Sequence, residues 1–434
     1  MSEPLGVALI GCGTVGSGVA RLLLEQPARL AARAGRPLVL RRVVVRDLDR
    51  PRGVAIPREL LTSDLAQVIA DPTIHVAAEL VGGVDWARQA VLRLLAAGKD
   101  VVTANKALLA THGTEVFAAA RRHGRAIAFE ASVAGGVPII AALTQSLAAN
   151  QILSVQGILN GTCNFILSAM TEDKCSYGAA LAEAQARGYA EADPTLDVDG
   201  TDAAHKLAIL AQIAFGTAVP LSAIDRRGII GIDATDIHFA GELGYVIKLL
   251  AETWLHEDKL ALHVSPVLLR RHNPLAQVRG AYNAVSVVGD VVGDTLFYGK
   301  GAGQMPTASA VTADLIDLAI GRTQRTFQTL RLWTDNGPRL QVQPAENVRS
   351  RFYLRLLVED RPGVLAKVAN VLAQENISIA SVIQHEVSEG PGIQRVHLVI
   401  MTHSARTGDF RSACQQIDQL DQVAARSVHF PVED

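Results

Sequence analysis

The sequence predicts an α/β protein in three parts: a doubly wound, Rossmann-type dinucleotide domain, a mixed α+β domain, and a C-terminal ferredoxin-like domain. Three observations carry this reading. Short Val/Ile/Leu runs alternate with amphipathic segments through the first third of the chain. A glycine-rich turn follows the first of those runs, and a strand and helix pattern restarts in miniature after residue 350.

In the first third, residues 7–10 read as a buried strand. Val15, Val19, Leu22 and Leu23 then recur at helical spacing, and 38–45 is again strand-like. That βαβ order calls for a parallel sheet. Further strands are expected at 75–81, 100–103 and 126–129, with an alanine-rich helix at 86–97, which places the first domain at 1–136. The middle domain, 137–330, is expected to mix helices at 203–214 and 243–254 with strands at 152–159 and 281–288. A polar stretch with Gly337, Pro338 and Pro344 makes 331–350 the expected linker. In 351–434, strands at 352–358, 377–383, 396–401 and 423–430 and helices at 364–372 and 407–420 follow the order βαββαβ, a ferredoxin-like unit.

Composition narrows the function. Lys and Arg number 41 against 43 Asp and Glu, with no block of like charge, so nucleic acid and anionic membranes are not expected partners. No apolar run reaches the 18 or so residues of a membrane-spanning helix, and the run at 5–10 ends in glycines rather than a cleavage site. The four cysteines lack metal-ligand spacing, which fits a reducing, cytoplasmic compartment.

Gly11-Cys-Gly-Thr-Val-Gly16 sits between an expected strand and helix. There Gly11, Gly13 and Gly16, with Thr14 and Val15, would bring backbone amides to a pyrophosphate at a helix N-terminus. The acidic residue of this fingerprint is displaced to Val45-Arg46-Asp47, because 25–37 inserts a longer helix and loop. Asp47 would serve a ribose hydroxyl; Arg46 would instead pair with a 2′-phosphate and favour NADP over NAD. Ordinary turn residues are the alternative for both.

Two further stretches stand out. Thr103-Ala-Asn-Lys106 follows a parallel strand at the sheet edge where open α/β folds bind ligands. In 188–206, Glu191, Asp193, Asp197, Asp199 and Asp202 precede Lys206, just inside an apolar helix. On residues alone, Asp199 is an N-cap, Asp202 with Lys206 an i,i+4 surface pair and Lys106 a solvated charge.

Together with Glu130-Ala-Ser-Val-Ala-Gly-Gly-Val-Pro138, Asn160-Gly-Thr-Cys-Asn-Phe-Ile-Leu167 and Gly301-Ala-Gly-Gln-Met-Pro-Thr307, these stretches resemble the homoserine dehydrogenase family over nearly all of the first 310 residues. The resemblance implies reversible, NAD(P)-dependent reduction of L-aspartate 4-semialdehyde to L-homoserine, in threonine, methionine and isoleucine biosynthesis. It makes 137–330 a catalytic and dimerisation domain and the protein a homodimer or homotetramer. Lys206 is the implied proton donor, Lys106 a second cation near substrate and nicotinamide, and Glu191 and Asp202 the holders of the substrate amino group. Thr103, Lys106 and Gly303 match positions lining the cofactor. The family also implies a monovalent cation, sodium, at the Glu130 carboxylate and the carbonyls of Val133, Gly135 and Val137. Oxygen-only ligation suits a hard cation.

The C-terminal Asp360-Arg-Pro-Gly363-Val-Leu-Ala and Asn376-Ile-Ser-Ile resemble the ACT module, which implies amino-acid binding near its first loop, with L-threonine the expected effector. Pro362 would open the helix there and Gly363 would admit a ligand carboxylate to its N-terminus; the alternative is a module that only dimerises. Two other readings compete. Aspartate-semialdehyde dehydrogenase would use Cys163 as nucleophile, but that cysteine sits in a homoserine-enzyme motif without a histidine near it in sequence. A non-catalytic nucleotide and amino-acid sensor is opposed by the presence of Lys106, Glu191, Asp202 and Lys206 together.

Overall fold

The computed structural model describes residues 3–256, 258–334, 340–386 and 394–433. The chain forms two compact units: 1–161, 204–222 and 282–340 make the first, and 162–203, 223–281 and 341–434 the second. The chain therefore passes between units several times, instead of completing its domains one after another.

The first unit is built on a parallel sheet of β1 (Leu5–Ile10), β2 (Leu38–Val44), β3 (Leu61–Thr62), β4 (Val76–Glu79), β5 (Asp100–Thr103) and β6 (Ile127–Ala128). Their order is β3-β2-β1-β4-β5-β6, the Rossmann order, which reverses direction between β1 and β4 and opens a crevice at the carboxyl ends there. Every residue of β1 is buried, as a strand covered by helices on both faces must be. The insertion after the first helix (Thr14–Glu25) is a second helix, Pro27–Ala34, with Pro27 in its first turn and Gly35 closing it in the left-handed region.

One wall of this core comes from far along the chain. The helix Gln304–Ala319 packs Ala308, Val311, Leu315 and Leu318 among the apolar side chains of β1 and the first helix. Gly18 permits the approach: a Cβ on it would lie 2.8 Å from the Cβ of Ala308. The segment expected to be a linker is also partly built in. Trp333 is buried against Phe117 and Phe129, and Arg121 donates to the carbonyls of Leu332 and Trp333. Gln341–Val342 pairs with Lys259–Leu260, whereas Gly337 and Pro338 lie outside the described residues.

In the second unit, Tyr245–His256 and Lys259–Arg270 are long antiparallel strands paired along their whole length. The helix expected at 243–254 is thus a strand. Its apolar residues lie on both faces because both are buried, and a run without alternation fits either element by periodicity. Tyr245, Val246, Ile247, Thr253 and Trp254 are the β-branched and aromatic residues that favour the strand.

The C-terminal module has the expected order. Arg349–Glu359 pairs with Val428–Glu433 on one side and Arg395–Thr402 on the other, with Ile379–Gln384 at the edge, all antiparallel, under the helices Val364–Gln374 and Thr407–Ile417. The last strand begins at 428 rather than 423. Through Val432 and Glu433 it continues the sheet onto Leu268 and Leu269 of the preceding domain. Arg355 completes the joint: its guanidinium donates to Asp233 and to both carboxylate oxygens of Asp236, which is wholly buried at the start of the helix Ala234–Glu242. No helix among the described residues is long and apolar enough to cross a membrane.

Candidate active site

At the carboxyl edge of the parallel sheet, β1 runs straight into the Gly11–Gly16 turn. Gly11 has φ +99°, a conformation that L side chains avoid, and its added Cβ would meet the Leu80 carbonyl at 2.8 Å. Gly16 faces the Gly11 carbonyl so closely that a Cβ would sit 2.3 Å from it. Gly13 differs: its Cβ would meet no atom of the protein within 4 Å. It caps the helix Thr14–Glu25 with no side-chain hydrogen bond, so Thr14 and Val15 begin a helix whose first amides face a cradle of bare backbone. That open space suits a dinucleotide pyrophosphate.

Around this turn the strand ends carry polar groups. Thr103, buried at the end of β5, donates through Oγ1 to Glu79 Oε2 at 2.7 Å and accepts from the amide of Asn105. Glu79 is wholly buried, and its other oxygen holds the amide of Val81 at 3.0 Å, fixing the start of the Gly82-Gly83 loop. Burial pushes its pKa up; the hydrogen bond from Thr103 pulls the other way. Sequence reading missed Glu79. The signal was available as a lone acid ending the apolar run Val76-Ala-Ala-Glu79. Asn105 caps the helix Lys106–Arg122 and also donates to the Gly83 carbonyl, so Lys106 occupies the first helical position, where a cation opposes the helix dipole.

Arg46 is exposed just beyond β2. Asp47 beside it spends Oδ1 on the amides of Asp49 and Arg50 and so shapes the turn.

Lys206 is buried on the helix Thr201–Phe215 and donates to the Leu159 carbonyl at 2.6 Å. Asn283 Nδ2 donates to the same oxygen at 2.9 Å. Leu159 immediately follows the strand Ile152–Ile158, which pairs with Tyr282–Gly289, and that pairing brings Asn283 alongside. Gly301 leaves room for the amide, since a Cβ there would fall 2.1 Å from Asn283 Cγ. Gly303, φ +127°, is the N-cap of Gln304–Ala319.

The acidic stretch separates by task. Asp193 and Asp199 cap turns through Thr195 and Thr201, Asp197 accepts from the Thr162 hydroxyl, and Asp202 is buried in the first turn of the helix that carries Lys206. Glu191 is exposed, its backbone carbonyl held by Gln185. Asp199 is not the N-cap expected of it: it closes the short helix Thr195–Val198 and accepts from the amide of Thr201 across Gly200, and Asp202 and Lys206 are buried rather than a surface pair.

Glu130 is buried with its carboxylate turned to the amides of Ile140 and Ala141, at 3.0 and 2.8 Å. Burial pushes its pKa up to about 7. Val133, Gly135 and Val137 follow in a loop turned by Ala134, φ +47°. The Val137 carbonyl accepts from Ile139, and no backbone amide of the described residues donates to the carbonyls of Val133 or Gly135. In the C-terminal module Gly363, φ +90°, is the N-cap of Val364–Gln374, so Pro362 lies one position outside the helix it was expected to open.

Sequence profiles of homoserine dehydrogenase and of its NAD-binding domain match residues 138–316 and 11–130, and an ACT-domain profile matches 352–422. The chain belongs to the homoserine dehydrogenase family. It is 41% identical to the homoserine dehydrogenase of Synechocystis over 96% of each chain, and 44% identical to that of Mycobacterium tuberculosis over 97% of this chain and 96% of the other. The crystal structure of a homoserine dehydrogenase from Thiobacillus denitrificans superposes with TM-score 0.92 at 42% identity, covering 100% of this chain and 99% of that one. A hyperthermophilic archaeal homoserine dehydrogenase in complex with NADPH matches 72% of this chain and 97% of its own, with TM-score 0.61 at 26% identity. As a homoserine dehydrogenase, the chain is an NAD(P)-dependent oxidoreductase, which rules out the sensor reading; Cys163 is a buried thiol that donates to the Asp197 carbonyl.

The glycines separate folding from binding. Gly13→Ala is expected to fold with unchanged thermal stability and to bind NADPH at least about tenfold more weakly, measured by nucleotide fluorescence, because the added methyl enters only the cradle. Gly16→Ala is expected to lower the melting temperature itself, since its methyl collides with backbone. Equal stability loss in both variants would contradict the assignment.

Proposed function

We propose that the chain interconverts L-aspartate 4-semialdehyde and L-homoserine with NADP(H), and that Lys206 delivers and recovers the proton at the substrate oxygen. The observation that carries this is the buried Lys206 ammonium anchored on the Leu159 carbonyl. An ammonium has three donors, so committing one to a fixed carbonyl orients the others. The bound dinucleotide supplies the hydride to the aldehyde carbon. Lys206 meets the alkoxide character developing on oxygen and gives it a proton, leaving a neutral amine to be reprotonated from solvent. Lys106 adds a second positive charge to the same stabilisation. Asp202, four residues before Lys206 on one helix, and Glu191 receive the substrate ammonium.

Gly11, Gly13, Thr14, Val15 and Gly16 cradle the pyrophosphate, with Thr103, Lys106 and Gly303 lining the nicotinamide side. The exposed Arg46, with exposed Arg50 in the same loop, offers guanidinium groups to a 2′-phosphate and so favours NADP over NAD. A sodium ion at the Val133, Gly135 and Val137 carbonyls would hold the Glu130 carboxylate ionised despite its burial. The protein acts as a homodimer or homotetramer in the cytoplasm. Its ACT module binds L-threonine at the Gly363 turn, where the uncapped amides of Val364–Gln374 meet a carboxylate.

Lys206→Ala should lower kcat for homoserine oxidation by about 10² to 10⁴ while NADP affinity stays within a factor of about two. Activity retained in the variant would remove Lys206 from proton transfer.

For threonine to inhibit, it must bind the less active state more tightly. Gly363→Asp, which strains the left-handed turn and puts a carboxylate where the ligand's would lie, should keep basal turnover and lose threonine inhibition. Inhibition unchanged in that variant would place threonine elsewhere.

A further inference from the structure

Away from the lysines and the nucleotide edge, the second unit holds a cavity of about 70 Å³ between the ACT module and the strand Lys259–Arg270. At 10 to 15 Å³ per water, that is room for roughly five water molecules, or one ligand of a few heavy atoms. Its polar lining is Asp225, Arg227, His263 and Ser265 from the preceding domain and Ser350, Thr407, Arg411 and His429 from the module, with His263 Nε2 held 2.8 Å from the Glu252 carboxylate.

The charge balance is positive. Arg411 is paired with Asp225, the one carboxylate in the lining, which leaves Arg227 without a partner there, although the Asp236 carboxylate also acts on it. Arg227 is pinned at this position, donating to the His429 carbonyl and lying over the Phe430 ring at 5.1 Å from its centroid, while staying exposed to solvent. Burial together with Arg227, Arg411 and Arg426 pushes the His429 pKa down to about 4, so its imidazole is neutral near pH 7 and carries one N–H donor. The helix Thr407–Ile417 starts at this cavity with no side-chain cap on its amides, although Asp409 lies in its first turn.

Two buried polar atoms give the second indication. Ser265 Oγ and His429 Nδ1 have no hydrogen-bond partner among the described residues. Buried polar groups in a folded protein are normally satisfied by protein, water or ligand. An uncharged water cluster would satisfy these two atoms and leave the arginine excess unanswered.

We propose that this cavity binds a small oxyanion, a phosphate or the carboxylate of a small amino acid, gripped by Arg227 and Arg411 and hydrogen-bonded by Ser265 and His429. The site is separate from the Gly363 turn, none of whose residues lines the cavity. Since its walls come from both the module and the preceding domain, occupancy stabilises their junction by mass action.

The test is isothermal titration of the full chain with inorganic phosphate and, separately, of its Gly363→Asp variant, in which the turn proposed for threonine is blocked, with L-threonine. At least one should bind saturably. Arg227→Ala and Ser265→Ala, each in the same chain, should weaken that binding about tenfold or more. Ser265→Ala is the control for folding: it removes an unpaired hydroxyl and adds no atom, so the unliganded protein should melt close to wild type. Phosphate binding alone assigns a phosphoryl ligand, and threonine binding alone assigns an amino-acid carboxylate. Absence of saturable binding by either, or binding that survives both substitutions, would overturn the proposal.

Discussion

One backbone oxygen, the carbonyl of Leu159, holds together the parts of the chain that the proposed chemistry needs. A buried ammonium is costly unless it is hydrogen-bonded. Lys206 meets that requirement at Leu159, and Asn283 braces the same oxygen from the neighbouring strand. Asn283 fits only because residue 301 has no side chain. Three motifs far apart in sequence, around Asn160, Lys206 and Gly301, thus converge on a single acceptor. Their residue types follow: a strand end to present the carbonyl, a long cationic side chain to reach it, and a glycine to make space.

Much of this was legible in the sequence, for reasons that vary by element. Strands of the parallel sheet were readable because burial on both faces makes them unbroken apolar runs between glycine turns. The same property misled at 245–256, where an apolar run of helical length proved to be a strand, and its partner at 259–270 went unread. Pairing with a distant segment decides such cases, and periodicity carries no information about it. The helix Gln304–Ala319 shows a second limit. Its composition announces a buried helix, but only Gly18, nearly three hundred residues earlier, reveals that the dinucleotide core is what buries it. At the site, the glycines and lysines were visible as motifs, whereas Glu79 was legible only as a lone acid ending an apolar run, a weaker signal because it carries no spacing pattern.

The C-terminal module is joined to the preceding domain by more than a tether. The strand Val428–Glu433 extends the sheet through Leu268 and Leu269, and Arg355 is clamped between Asp233 and Asp236 with little exposure to water. A paired charge in such a place stabilises less than its geometry suggests, but removing either partner strands the other. That all-or-nothing character suits a junction through which an effector would bias the enzyme, since coupling requires an element with discrete arrangements rather than a compliant one.

The measurement that tests the central claim most directly is the steady-state kinetics of Asn283→Ala. The amide touches the reaction only through the Leu159 carbonyl it shares with Lys206, so its loss should loosen the ammonium and leave the nucleotide cradle alone. The account predicts a fall in kcat of about 10- to 100-fold, with NADP affinity and melting temperature near wild type. A correctly folded variant with wild-type kcat would contradict it.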